Sequence, residues 1–204
     1  MTVERTGQRG RRPRESFADR RARRGAVDDP AVVLEAAARF LEARSRSIAE
    51  VRRRLTGAGY RDVLVEGAIA RLGDLGVLDD DAFARAWVES RDRARPRGER
   101  AIREELRLKG IERSIVDAVL DERRTRDGGD GSPGGAADAD AVAADRLLAK
   151  HARALRRVAD PRQRRQRAYA LLARNGFDPE TCRRLAATVA DEPDPDADAA
   201  ATDD

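Results

Sequence analysis

Residues 51–60 read VRRRLTGAGY, residues 102–111 read IREELRLKGI and residues 168–177 read AYALLARNGF. In each stretch a leucine stands four residues before a glycine and an apolar residue follows it: Leu55, Gly59, Tyr60; Leu106, Gly110, Ile111; Leu172, Gly176, Phe177. Eight before the glycine come Val51, Ile102 and Ala168. Six, nine and ten after it come Val65, Ala68 and Ile69, then Val116, Val119 and Leu120, then Cys182, Leu185 and Ala186. Apolar positions four apart before the glycine and three to four apart after it describe two amphipathic helices joined by a tight corner. The glycine is the corner, where a helix ends in a left-handed residue and the next apolar side chain folds back on the last turn. The chain is therefore an internal repeat, and such repeats bury their apolar faces against one another.

Working outward, each glycine-centred pair is preceded by a third helical segment. Val33, Ala37, Phe40 and Leu41 keep helical spacing, and Ser47 with Glu50 three residues on forms a capping box for the next helix. Asp79 opens a helix carrying Phe83, Trp87 and Val88, which the Arg95-Pro96-Arg97-Gly98 run interrupts. Leu147, Leu148 and Leu155 precede the cap-and-proline pair Asp160-Pro161, and Asp178-Pro179 repeats that signal. No segment alternates with a period of two. The expected fold is all-α, three tandem three-helix repeats with about nine helices, over residues 28–78, 79–126 and 141–190. The first two glycines are 51 residues apart and the last two 66, and the difference falls on a Gly- and Asp-rich loop, residues 127–140. That loop predicts freedom for the third repeat to swing.

Both ends read as unstructured. Residues 1–27 hold nine Arg and three acids with few apolar residues, a disordered basic arm. Residues 191–204 form an acidic tail that lacks any base. Residues 26–124 balance at 20 bases and 20 acids, whereas residues 142–184 carry 12 bases against 4 acids, so the third repeat is the basic one. Of 42 bases 40 are Arg, the residue suited to bidentate phosphate or carboxylate contacts, although a coding bias toward Arg explains such an excess equally well. One cysteine, Cys182, precludes an intramolecular disulfide and aligns with core positions Val65 and Val116. No apolar run reaches the roughly 20 residues of a bilayer span, and no secretory leader is present, so a cytoplasmic protein without membrane contact is expected.

The residue inventory disfavours an enzyme. His151 is the only histidine and Cys182 the only cysteine, which leaves no zinc set and no Cys/His nucleophile pair. Asp79, Asp80 and Asp81 stand at a helix start, where acids cap amides, rather than as a metal site. No cofactor or phosphate-binding glycine motif occurs, and no small-molecule substrate is implied. What survives is cationic. Arg52, Arg53 and Arg54 lie on the outside of one helix. Arg44 and Arg46 stand 15 and 13 residues before Gly59, as Arg95 and Arg97 do before Gly110, so two repeats carry one Arg pair at one corner. Arg162, Arg164, Arg165 and Arg167 crowd a helix start against the dipole, at about 0.3 to 1 kcal/mol each, with no folding reason visible in the sequence. The seven aromatic residues lie mostly on apolar stripes, which disfavours a single-strand binder built on stacking platforms. A row of Arg can instead follow phosphates, an acidic protein surface, or both in a nucleoprotein.

The stretch from Leu41 to Ile111, with Leu75-Gly76-Val77-Leu78-Asp79-Asp80 and Phe83, then Leu106, Lys109 and Gly110, resembles the RecX family, and the weaker third repeat extends the likeness to about residue 190. The resemblance implies three tandem three-helix repeats in an elongated, curved body. It further implies a non-catalytic regulator docking in the groove of the RecA recombinase filament on DNA and restraining filament growth, ATP hydrolysis and strand exchange. On that basis Arg44, Arg46, Arg52, Arg53, Arg95, Arg97 and Arg103 are the expected RecA contacts. Arg162, Arg164, Arg165 and Arg167 are the expected DNA-phosphate contacts, and a monomer without cofactor is expected. A general helical DNA-binding protein acting independently of RecA is the alternative. The basic arm, the 127–140 loop and the acidic tail depart from the family pattern.

Overall fold

Gly59, Gly110 and Gly176 all adopt positive φ, 103°, 78° and 83°, the region that a Cβ would strain. At each corner the next amide reaches back to the leucine five residues earlier: Tyr60 N to Leu55 O at 3.3 Å, Ile111 N to Leu106 O at 3.1 Å, Phe177 N to Leu172 O at 3.3 Å. The glycine amides bond the carbonyls three residues back. These paired bonds satisfy the carbonyls that a helix end leaves open, and they occur three times as the spacing predicts.

The computed structural model describes residues 16–126 and 139–191. Among these residues the protein is entirely helical: α1 Phe17–Gly25, α2 Pro30–Glu42, α3 Ile48–Ala58, α4 Asp62–Asp74, α5 Asp80–Ala94, α6 Glu99–Leu108, α7 Arg113–Arg126, α8 Ala139–Arg156, α9 Pro161–Arg174 and α10 Pro179–Asp191. Helices α2–α4, α5–α7 and α8–α10 are the three repeats. The matched positions Val51, Ile102 and Ala168, Leu55, Leu106 and Leu172, and Val65, Val116 and Cys182 are all buried. Burial pushes the Cys182 thiol up, with the nearby Asp178 charge adding to it, which suits a core residue rather than a nucleophile. The caps are those expected. Asp79 accepts from Asp81 N and Ala82 N, Asp160 from Arg162 N, and Ser47 and Glu50 cap each other's amides at 3.1 and 3.2 Å.

The chain divides into two compact units, Met1–Ser45 with Val51–Leu78, and Arg46–Glu50 with Asp79–Asp204. In the first unit the structure corrects the expected disorder of residues 1–27: residues 1–15 lie outside the described residues, but Phe17–Gly25 is helix α1. Ser16 and Asp19 close a capping box at its start. The helix buries no residue of its own. It is held through its arginines, Arg21 donating to Gly57 O at 3.3 Å and Arg24 to Ala58 O at 3.5 Å, with the Arg24 guanidinium 5.8 Å from the Tyr60 ring centre. A Cβ on Gly59 would stand 2.8 Å from Arg21 O, so α1 lies directly on the first glycine corner.

The second unit uses one construction twice. Residues twelve and eleven before a glycine, Ser47 and Ile48 in one case and Gly98 and Glu99 in the other, start a helix that settles on the next glycine corner along the chain. Ser47 Oγ donates to Lys109 O at 2.6 Å, and Gly98 N donates to Asn175 O at 3.0 Å. An aspartate near the start of α5 or α8 caps the same helix: Asp80 accepts from Ile48 N at 2.9 Å, and Asp140 from Glu99 N at 3.1 and 3.0 Å. A Cβ on Gly110 would meet Ala49 Cβ at 2.4 Å, and one on Gly176 would meet Ala101 Cβ at 2.4 Å. Each corner glycine thus allows both the backbone turn and the close approach.

Residues 127–138 of the expected loop lie outside the described residues, and residues 139 and 140 belong to α8. The third repeat does not swing freely on that loop, because the Gly98–Asn175 bond and a buried ion network fasten it to the second. Arg123, 2% exposed, donates to Asp92 at 2.9 Å and to Asp140 at 2.6 Å. Burial works against its charge, and the hydrogen bonds it donates to Asp92 and Asp140 outweigh that, so its pKa lies above the usual arginine value. The expected tail beyond Asp191 lies outside the described residues.

Candidate partner-binding surface

Most arginines of the second repeat are engaged within the protein itself. Arg85 pairs with Glu122, Arg91 with Glu105, Arg93 with Glu89, Arg107 with Glu104, and Arg124 with Glu99. Arg103, an expected contact, bridges Glu99 at 2.9 Å and Asp117, and these hydrogen bonds, that to Asp117 foremost, raise its pKa. Burial disfavours the charge on Glu99, but hydrogen bonds from Arg124 and Arg103 hold its carboxyl below the usual carboxylate range. Trp87 is enclosed by cations, with Arg91 and Lys109 each 4.2 Å from its ring centre and its Nε1 bonded to Glu105 at 2.8 Å. It is no platform for a base.

The other expected contacts separate into exposed and engaged. Arg53 and Arg95 are exposed, and neither side chain makes a hydrogen bond or ion pair among the described residues. Arg44 is exposed and donates to Ser45 O at 3.0 Å, whereas Arg46 is half-buried. Arg52 grips Glu66 with two bonds of 2.5 and 2.7 Å and lowers its pKa. Arg97 donates to Asn175 Oδ1 at 2.9 Å and stands 3.7 Å from Glu105. The matched pairs therefore share an outward first member, Arg44 or Arg95, and a second member turned into the fold.

In the third repeat the balance reverses. Arg153, Arg156, Arg157, Arg162, Arg165, Arg167, Arg174, Arg183 and Arg184 are all exposed, and none of them forms an ion pair among the described residues. Arg162, Arg165 and Arg167 of the expected phosphate contacts lie open to solvent. Arg164 differs: it is 6% exposed and its Nε donates to Val158 O at 3.1 Å across the α8–α9 turn, so it has a folding role that the sequence pattern does not record. Arg165 aligns with Ile48, which is itself half-buried, so a charge in that slot remains solvated.

The Asp92–Arg123–Asp140 network was missed in the sequence reading. The signal lay in the repeat alignment, because Arg123 occupies the slot of buried Leu72, and Asp92, eighteen before its glycine, that of Leu41. No helix among the described residues is long and apolar enough to cross a membrane.

Tandem three-helix repeats joined through glycine corners define a helical-repeat protein whose distinguishing surface is arginine. Models of the first, second and third three-helix domains of RecX match residues 34–72, 79–120 and 138–185 in that order. The chain belongs to the RecX family. It is 40% identical over 82 residues to "Regulatory protein RecX" of Mycobacterium sp. (strain KMS), covering 40% of this chain and 45% of that protein. The chain thus spans about half the length of that relative. The protein of the same description from Chlorobium phaeobacteroides (strain BS1) is 29% identical over 155 residues, 76% of this chain and 91% of that one. The crystal structure of RecX from Lactobacillus salivarius shares the fold at a TM-score of 0.60 and 18% identity, covering 79% of this chain and 97% of that one.

Proposed function

We propose that this protein is a non-enzymatic regulator that binds the RecA recombinase and its filament on DNA and restrains filament extension, ATP hydrolysis and strand exchange. The observation that carries the reading is the presence of all three RecX domains in order, on a body whose exposed arginines include Arg44, Arg53 and Arg95. A nucleoprotein filament offers both acidic protein and phosphate, and arginine serves either. Arg53 and Arg95 are available without breaking an internal pair. Arg52, Arg97 and Arg103 would first have to leave Glu66, Asn175, and Glu99 with Asp117.

Single-strand-dependent ATP hydrolysis by RecA of the same organism, titrated with this protein well below the RecA concentration, tests the proposal. Suppression at a small molar ratio supports it. Arg53→Glu with Arg95→Glu should raise the half-suppressing concentration about tenfold while leaving the melting curve in place, since exposed substitutions usually change stability by no more than about 0.5 kcal/mol. The nine open arginines of the third repeat favour a second reading, direct binding of DNA phosphate. Suppression only once the protein coats the DNA, with a steep salt dependence regardless of RecA, would place that reading first.

A further inference from the structure

Some open arginines of the third repeat stand on the two helices next to the point from which an acidic segment continues the chain, Arg156 on α8 and Arg183 and Arg184 on α10. Helix α10 ends at Asp191, and the thirteen residues that follow hold Glu192, Asp194, Asp196, Asp198, Asp203 and Asp204 and no base. A cavity of about 350 Å³ opens beside that exit, lined by Asp145, Leu148, Ala152, Leu155 and Arg156 of α8 and by Thr188 and Val189 of α10, with Arg156 its one cation and Asp145, more than two turns away along α8, its one acid. Arg183 and Arg184 stand on α10 itself, and Arg153 and Arg157 flank Arg156 at the end of α8. All are exposed. Thirteen residues reach at most about 45 Å when extended, at roughly 3.3 to 3.6 Å each, whereas Arg184 precedes Asp191 by only about two helical turns, near 10 Å at about 1.5 Å per residue.

We propose that the segment 192–204 docks on this arginine face of its own third repeat, laying its carboxylates over Arg156, Arg183 and Arg184 beside the α8–α10 cavity, and that a polyanion must displace it. The segment is a tethered anion. It competes at an effective concentration on the order of millimolar, the range that a short covalent tether sets, and a longer polyanion wins by engaging more arginines. The inference goes beyond the filament reading and stands or falls without it, because it concerns polyanion affinity in the absence of RecA.

The test compares the full chain, a form lacking residues 192–204, and a full-length form with the six acids replaced by Asn or Gln, binding fluorescein-labelled oligothymidylate between 50 and 300 mM NaCl. Both altered forms should bind about tenfold tighter at 50 mM. They should also show a steeper slope of log Kd against log salt, by roughly 0.7 for each arginine uncovered, so that the three proteins converge toward 300 mM. Adding Arg183→Ser and Arg184→Ser to the full and shortened forms should shrink the ratio of their affinities toward one. Equal affinity of all three proteins overturns the proposal. So does a gain on truncation that amide replacement fails to reproduce, or a gain that persists at 300 mM. Suppression of RecA ATPase at a small ratio by every form would leave the proposed function intact in any of these cases.

Discussion

Replacing Arg123 by leucine removes the central charge of a network in which only the flanking carboxylates reach water. The Asp92 and Asp140 side chains are 20% and 12% exposed, against 2% for Arg123. Breaking a buried pair costs about 3 to 5 kcal/mol because the remaining charge is stranded. Asp140 keeps its bonds from Glu99 N at 3.1 and 3.0 Å, and Asp92 can draw in some water, so the low end, about 3 kcal/mol, applies. For a folding unit of this size that is a fall in Tm of about 10 °C. Leucine is the informative substitute because Leu72 holds the matched slot in the first repeat and is buried there. The double change Arg123→Leu with Asp92→Leu reproduces the Leu41 and Leu72 combination and should return to within about 1 kcal/mol of the parent, since an apolar pair often equals a buried ion pair. Thermal and urea unfolding followed by circular dichroism and by Trp87 fluorescence would report both. A loss below about 1 kcal/mol for the single change, or a double variant weaker than the single, would refute the account of a network that fastens the third repeat.

Gly98 has an ordinary φ of −70°, so Gly98→Ala tests close approach alone: the new Cβ would lie 2.3 Å from Gly176 O and 2.4 Å from Phe177 N. The expected cost is about 1 to 3 kcal/mol, with amide exchange of α8–α10 speeding up, and an unchanged exchange pattern would contradict it. Ser47→Ala removes both the cap on Glu50 N and the bond to Lys109 O, and should cost about 1 to 2 kcal/mol in urea unfolding. In acid, Glu99, Glu66 and Asp178 have folded pKa values below their unfolded ones, so their stabilisation is full above about 4.5 and is lost as pH falls through the lowered values. The Tm should hold from pH 7 to about pH 5 and then fall, and Glu99→Gln should flatten that fall; parallel curves would argue against its ion pairs.

The corners and cores were legible because each leaves a spacing in the chain: Leu, Gly and an apolar residue at fixed offsets are what a Schellman end requires. Helix α1 was not legible from hydrophobic period, since it has no buried face, and its arginines act on backbone carbonyls of Gly57 and Ala58 that lie far along the sequence. Its Ser16–Asp19 capping box was the signal available. Arg123 and Arg164 show the other difficulty. A guanidinium in a core-aligned slot reads as surface until its acceptors are found, and those acceptors are supplied by tertiary packing. For Arg123 the compensating Asp92 in the slot of Leu41 pointed the way. For Arg164 the acceptor is a main-chain oxygen, which no side-chain pattern records. The separation of paired arginines in the second repeat from open ones in the third was visible only as net charge, because pairing depends on which helices face each other.

The three glycine corners are alike, and each is covered: the first by α1, the second by residues 46–50, the third by residues 98–101. The covering surface and the covered one differ, so the contact is of the head-to-tail kind, which can recur without end from one molecule to the next. Helix starts at Ser47 and Gly98 serve as its donors. At the third such start Arg164 fills the corresponding slot and is turned back onto Val158 O, while α1 lies on the first corner. Each glycine corner is thus taken up from within the same chain, the first of them by nine residues of helix.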